Sequence, residues 1–358
     1  MKNLDLDFGS FPQFTKEEST NYLFGANNAW VSDIWAFWDL IIRRHKIKTK
    51  KAEKKYSFLL SLLEQAKYFF QAAENAPIKS QPLLYYYSFM NLAKIVVNVS
   101  VSDSRAVWNT KKYMHGVSAK PGTKPSLNDS TITCKDDISN ANVAKLFIEA
   151  MGDSYTRGAE FRVKELLASC LGIHRAYTET YNAKETFFRL DNLTASIDGR
   201  TMYFSSVIHD CTDESFAALL HYYPNISNLD ASGNATACFK WKEELVRAKS
   251  GDCTKKDLFA LASKIRQSGI WSITNGRDVS LYISSSPIRL STESIIYLLM
   301  FFFGSITRYS PYLFDELLSD KNMWLMSEFL KTQPKQFIYL VTSRVLGRNI
   351  CQSWMTNL

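Results

Sequence analysis

The chain of 358 residues is long enough for one large domain or two ordinary ones, each with a buried core. Hydrophobic residues make up 46% of it and charged residues 22%, which excludes wholesale disorder, and no apolar run reaches the roughly 20 residues of a membrane span. The 43 basic and 35 acidic residues give a net charge of +8, which favours anionic partners.

The first part of the chain predicts a helical bundle. Residues 1–26 show no regular periodicity, and we expect an irregular segment there, without a secretory signal. Apolar residues recur at helical spacing between Trp30 and Ile42, and again over Tyr56–Ala73 and Leu83–Val99. The third of these helices is apolar nearly all round, as is typical of the central helix of a bundle. We therefore predict an N-terminal helical bundle over residues 27–150.

Almost all of the excess charge lies between the first two helices, in the thirteen residues 43–55, called the basic segment below. Outside it, 35 basic residues face 34 acidic ones, a net charge of +1. The segment has one acid, Glu53, and eight basic residues: Arg43, Arg44, Lys46, Lys48, Lys50, Lys51, Lys54 and Lys55. Since crowded like charges weaken a helix slightly, we expect a solvated helix–loop–helix tip, with the helix itself starting after the segment.

The middle of the chain predicts a region rich in β-hairpins. A polar stretch from Asp103 to Ser130 is expected to be a loop, and two helices are expected near Asn140–Met151 and Glu160–Tyr177. Period-two segments then flank Asp198–Gly199 and Asn275–Gly276, which are strong signals for two-residue hairpin turns. Helices are expected around Ser215–Tyr222 and Lys255–Gln267. We predict an α+β insert with two hairpins over residues 151–290.

The last part of the chain returns to helical periodicity. A buried helix is predicted over Ser291–Ile306, with Arg308 in its last turn and Pro311 ending it. Further helices are expected around 313–318, 323–330 and 337–348. Residues 291–358 should pack back on the bundle. The predicted fold class is α+β, mainly a helical bundle of N- and C-terminal helices with an inserted β-hairpin-rich region.

No recognised catalytic motif appears in the sequence. Glycine-rich phosphate loops, GxSxG elbows and HExxH pairs are absent. The six cysteines are scattered without ligand spacing, which favours reduced thiols in a cytoplasmic protein and predicts neither a metal site nor a cofactor.

The histidines do not form a nuclease motif either. Helical ribonucleases of the HEPN kind need an Arg followed four to six residues later by a His on one helix. The nearest candidate pairs are all spaced more widely: Arg105–His115, Arg162–His174 and Arg200–His209. His115, in the polar loop, is an acid–base candidate without a visible partner.

Several segments together resemble the YaaC-like proteins of bacteria. They are the helix pair SFLLSLLEQAKYFFQAAENAP and SQPLLYYYSFMNLAKIVV, the HGV at His115–Val117 and the late MFFFGSITRYSPYLFDEL, which together span about residues 56 to 320. The resemblance implies a helical protein with an inserted β part. Its first helices are similar to HEPN-type bundles, which without the catalytic spacing implies a non-catalytic bundle used for binding. Because His115 and Arg308 fall inside the recognisable blocks, the resemblance marks them as candidate catalytic positions.

These observations lead to one favoured hypothesis and two alternatives. The favoured one is a cytoplasmic binding protein that engages nucleic acid or an acidic protein partner through the basic segment, within an antiphage defence or toxin-type system. The first alternative is a hydrolase or nuclease whose site gathers His115 with residues of the β insert. The second is a structural subunit of an oligomer. For the basic segment itself, a solvated connection without a partner is the competing interpretation.

Overall fold

The computed structural model describes most of the chain. The described residues are 2–4, 28–44, 50–100, 113–122, 127–135, 141–198, 201–223, 238–244, 270–275, 278–318, 320–346 and 349–352. The predicted helix at 255–267 lies outside them, as do most of residues 1–26.

The α-helices are α1 (Ile34–Arg43), α2 (Lys50–Asn75), α3 (Gln81–Ser100), α4 (Val143–Ala150), α5 (Val163–Ala168), α6 (His174–Tyr181), α7 (Asp213–Tyr222), α8 (Thr292–Tyr309), α9 (Pro311–Leu317) and α10 (Asp320–Leu346). The strands are β1 (Lys2–Leu4), β2 (Asn28–Val31), β3 (Tyr113–Met114), β4 (Val117–Lys120), β5 (Thr131–Cys134), β6 (Ala141–Asn142), β7 (Glu160–Arg162), β8 (Phe187–Asp198), β9 (Thr201–Ile208), β10 (Cys238–Glu244), β11 (Ile270–Asn275), β12 (Asp278–Ser284) and β13 (Asn349–Gln352). This architecture confirms the predicted α+β, mainly helical fold class. Within the described residues, no helix is both long enough and apolar enough to cross a membrane.

The chain divides into two compact units. One comprises residues 31–183 and 290–345 and is mainly helical; the other comprises residues 1–30, 184–289 and 346–358 and contains the large sheet. The four-part division of the chain by sequence stays a prediction.

The helical unit is held together by α3, α8 and α10, whose aromatic side chains interlock. Phe89 of α3 stacks on Phe337 of α10 with ring centroids 3.9 Å apart, and Phe147 of α4 lies 4.8 Å from Tyr297 of α8. α8 is buried along nearly its whole length, as its apolar sequence predicts. At Gly304 it approaches α3 so closely that an added Cβ would lie 3.0 Å from Cβ of Tyr86.

Three expectations for this unit are wrong in detail. The stretch 103–130 is not simply a loop, because β3, β4 and the turn before β5 lie in its described part; β4, β5 and β7 form a small antiparallel sheet. The helix expected over Glu160–Tyr177 is instead a strand, a short helix, a 3-10 turn and α6. The two late helices are one, α10, which continues through Pro334. Burial of Leu330, Gln333 and Phe337 on both sides of the proline offsets its usual cost of about 3 kcal/mol.

The sheet unit contains both predicted hairpins. Its sheet has the strand order β10-β9-β8-β12-β11, and β1 pairs with the C-terminal end of β8. β8 and β9 pair antiparallel up to Asp198 and Thr201, and β11 and β12 pair antiparallel up to Asn275 and Asp278. Only two residues separate the strands of each pair in the sequence, which confirms both hairpins. A β-bulge between Asp191 and Thr194 shifts the β8–β9 register by one residue.

Candidate functional site

One pocket of the helical unit brings together His115 and Arg308, the two residues marked by the family resemblance. This His115–Arg308 pocket has a volume of about 250 Å³ and is lined by α3, the segment around β4 and α8. Its polar and aromatic lining consists mainly of Tyr86, Tyr87, His115, Phe301, Arg308 and Tyr309. The lining contains no Asp or Glu, so its charge is positive.

The backbone around Gly116 holds His115 in place. Gly116 has a φ of +82°, and a Cβ there would overlap the side-chain amide of Asn142. Lys135 N–H donates to the Gly116 carbonyl at 2.8 Å, and the Tyr155 hydroxyl donates to the same carbonyl. Glycine is therefore required at this position, because only glycine combines the positive φ with the close approach. His115 enters the pocket from a fixed turn.

The imidazole of His115 is hydrogen-bonded to α3. Its Nδ1 lies 2.5 Å from the hydroxyl of Tyr86. Burial raises the pKa of Tyr86 well above its ordinary value, so this phenol keeps its proton. His115 is exposed at the mouth of the pocket, but the partial burial of its ring lowers its pKa, and the positive charges of Lys94 and Arg308 lower it further. We therefore assign a neutral imidazole that accepts from Tyr86 at Nδ1 and carries its own proton on Nε2.

Arg308 forms the cationic side of the pocket. Its Nη1 donates to the Tyr87 hydroxyl at 3.1 Å, and its guanidinium lies 5.0 Å from the ring centroid of Tyr309. Among the described residues no carboxylate forms an ion pair with it. Lys94 adds positive charge to the region, with Nζ 4.9 Å from the ring centroid of Tyr113. A guanidinium whose donors are partly left free by the described residues, beside a neutral N–H, suits an anion.

The structure shows only part of the basic segment. α1 ends at Arg43, whose Nε lies 2.6 Å from the Asp39 carboxylate, and Arg44 is exposed after it. α2 begins at Lys50, inside the segment, so the expectation that the helix starts after it is wrong. Like-charge repulsion of a few tenths of a kcal/mol per pair is too small to prevent a helix of 26 residues that packs on α3. Lys54 is exposed on α2, Lys55 is half-buried, and Lys46 and Lys48 lie outside the described residues.

The sheet unit contains two polar clusters that the sequence did not predict. The Asp191 carboxylate accepts from Arg189 Nε at 2.9 Å and lies 2.8 Å from His209 Nε2. The second cluster is centred on Arg289, whose guanidinium packs 4.3 Å from the ring centroid of Tyr222 and donates to the Tyr223 hydroxyl at 2.6 Å. No local motif marks either cluster, because each joins separate elements. In the part of the chain that the structure describes, no group of three or more His, Cys, Asp or Glu side chains is arranged for a metal ion.

Comparison with known proteins gives one result. The family model described as YaaC-like Protein matches residues 26–345, which is most of the chain. No curated protein and no solved structure matches it. The match confirms the resemblance inferred from the helix pair, the HGV and the late aromatic block.

Proposed function

We propose that this chain, which belongs to the YaaC-like protein family, is a binding protein that holds a small anionic group in the His115–Arg308 pocket. The observation that carries the proposal is the meeting of His115 and Arg308 in a pocket whose lining contains no acid. A phosphate, sulfate or carboxylate group there would accept from the Arg308 guanidinium and from Nε2–H of His115. Hydrogen bonds to a charged group contribute about 1.5–3 kcal/mol each, roughly twice a neutral one.

The proposal predicts measurable binding of simple anions. Isothermal titration calorimetry with inorganic phosphate and with sulfate should detect one site in the full-length protein. Arg308→Ala should weaken it about tenfold or more, since 1.4 kcal/mol corresponds to a factor of ten. Arg175→Ala is the matched control, because Arg175 is exposed on α6, pairs with Glu179 at 2.7 Å and lines no part of the pocket. Equal affinities in wild type and Arg308→Ala would overturn the proposal.

The basic segment supports a second candidate, the engagement of nucleic acid or an acidic protein partner. The observation in its favour is the exposure of Arg44 and Lys54, near the end of α1 and the start of α2. Phosphate contacts of this kind release counterions, so the affinity must fall as salt rises. A gel shift that is sensitive to salt and abolished by charge reversal at Lys48, Lys50, Lys51 and Lys54 supports it. Binding that survives the charge reversal refutes it.

The other hypotheses are tested by the same preparations. A hydrolase or nuclease using His115 would show turnover that is lost in His115→Ala, whereas a binding protein shows none. An oligomer subunit would change size with concentration, regardless of the basic segment. A role in antiphage defence or a toxin-type system is tested by phage challenge of cells that carry wild type or Arg308→Ala.

A further inference from the structure

An exposed aromatic ring stands at the rim of the His115–Arg308 pocket. Tyr309 lines the pocket and is 71% exposed, the largest exposed fraction among the described large hydrophobic residues. The Arg308 guanidinium packs on the same ring. Because so much of Tyr309 is in solvent although Arg308 packs on it, the ring keeps an open face beside the cation.

The size of the pocket limits what it can enclose. Pockets that enclose drug-sized ligands measure about 300–1,000 Å³, and this one measures about 250 Å³. It therefore takes one end of a ligand, and the remainder lies at the rim, where Tyr309 is. A ligand that fills the pocket and also contacts Tyr309 at the rim has an anionic group at one end and a flat ring next to it.

We propose that the ligand is a nucleoside phosphate, with its phosphate at Arg308 and His115 and its base stacked on the open face of Tyr309. This inference rests on the proposed function, because it requires the anion to bind in the pocket. Stacking of a base on an aromatic side chain contributes about 1–3 kcal/mol. The same chemistry is offered by a free mononucleotide and by the phosphorylated end of a single-stranded nucleic acid.

The chain contains a matched control for the stacking contact. Tyr312 lies three residues after Tyr309, is 70% exposed and does not line the pocket. Tyr309→Ala and Tyr312→Ala therefore remove the same side chain at the same exposure, but only the first removes the proposed platform.

The test compares inorganic phosphate, ribose 5-phosphate, adenosine 5′-monophosphate and adenosine by calorimetry. Stacking should make the nucleotide bind about 5- to 150-fold more tightly than ribose 5-phosphate. Tyr309→Ala should abolish that gain, so that the nucleotide and ribose 5-phosphate bind this variant with equal affinity. Tyr312→Ala should change neither affinity, and Arg308→Ala should weaken both phosphates. Equal affinity for the two phosphates, or a gain that survives Tyr309→Ala, overturns the nucleotide inference alone. Phosphate binding that is insensitive to Arg308→Ala overturns the proposed function itself.

A second arm identifies the source of the nucleotide. A 5′-phosphorylated RNA tetramer, its 3′-phosphorylated form and its hydroxyl-ended form are compared with the mononucleotide. If a phosphorylated tetramer binds more tightly than the mononucleotide, and this gain is lost in the hydroxyl-ended tetramer and in Tyr309→Ala, the ligand of the pocket is the phosphorylated end of a single-stranded nucleic acid. Tight binding of the mononucleotide alone assigns it to a free nucleotide. If the hydroxyl-ended tetramer binds as tightly as the phosphorylated forms, the inference is overturned, because the pocket then does not recognise a terminal phosphate.

Discussion

Gly116→Ala should damage the fold and the pocket together. An added Cβ would overlap Oδ1 of Asn142 and lie 2.9 Å from its Nδ2, and Gly116 has a φ of +82°. Asn142 Oδ1 accepts from Lys145 N–H at 2.8 Å and so caps α4, while its Nδ2 donates to the Lys135 carbonyl at 2.6 Å. The new methyl group must displace this side chain, and with it the turn that carries His115.

The magnitude follows from these contacts. A left-handed conformation costs a residue with a Cβ about 1–2 kcal/mol, of which about 0.4–1 kcal/mol is recovered because alanine restricts the unfolded chain. Loss of a helix cap adds about 0.5–2 kcal/mol, and loss of the Asn142–Lys135 hydrogen bond about 0.5–1.5 kcal/mol. Together these ranges predict that Gly116→Ala lowers the free energy of unfolding by roughly 1–5 kcal/mol.

Gly158→Ala is the matched control. Gly158 has nearly the same φ, +81°, but nothing lies within 4 Å of the added Cβ, so only the cost of about 1 kcal/mol from the positive φ should appear. Urea unfolding followed by far-UV circular dichroism measures both variants, and sulfate titration measures the pocket. The reasoning is refuted if the two variants lose equal stability, or if Gly116→Ala keeps the full affinity for sulfate.

Three further predictions concern the pocket and the core. The pKa of His115 is lowered in the folded protein and a bound anion raises it again, so sulfate affinity should increase as the pH falls through the pKa that His115 has in the complex. His115→Gln should remove this dependence, and a wild-type pH profile of affinity that matches the profile of His115→Gln would contradict the role of His115 as a donor to the anion. Tyr86→Phe removes the hydroxyl that donates to His115 Nδ1. It should weaken sulfate binding several-fold and lower the free energy of unfolding by about 0.5–1.5 kcal/mol. Tyr85→Phe is on the same helix but outside the pocket lining, so it should leave the sulfate affinity unchanged. Glu293 and Arg344 form a buried ion pair with Oε1 and Nη2 3.0 Å apart and side chains 4% and 13% exposed. Arg344→Met should therefore lower the free energy of unfolding by roughly 3 kcal/mol, and the double substitution with Glu293→Met should recover most of this loss. Urea unfolding measures both variants, and equal losses in the two would argue against a paired charge.

The parts of the fold that the sequence predicted have local signals. The helices α1, α2, α3 and α8 follow from apolar residues at helical spacing, and the two hairpins follow from Asp-Gly and Asn-Gly turns between period-two runs. The strands β3 to β7 were missed because each has only two to four residues, too few to show a period. Their pairing depends on residues far away in the sequence. The continuity of α10 through Pro334 was missed for a related reason, since burial on both sides of the proline is a tertiary effect.

The sequence marked two residues of the candidate site, but it did not predict that they line the same pocket. His115 and Arg308 stood out because both lie in recognisable family blocks, yet they are 193 positions apart. Their contact partners, Tyr86 and Tyr87, belong to a run of three tyrosines whose directions the sequence alone does not resolve. The missed pair of Asp191 and His209 illustrates the same limit. The bulge between Asp191 and Thr194 shifts the register by one residue, and such a shift reverses which side chains share a face of the sheet.

The two cationic regions of this protein differ in what they can contribute to binding. Charges such as Lys54 sit on exposed side chains, where an ion pair contributes about 0–1 kcal/mol and is screened within about 8 Å at physiological salt. Such charges raise the rate of encounter with any polyanion, but they do not distinguish one polyanion from another. Arg308 and His115 are exposed as well, but hydrogen bonds to Tyr87 and Tyr86 hold them at one concave pocket whose lining contains no acid. Under the proposed function, selectivity therefore comes from the pocket, whereas the basic segment would add rate and salt dependence to the encounter with an anionic ligand.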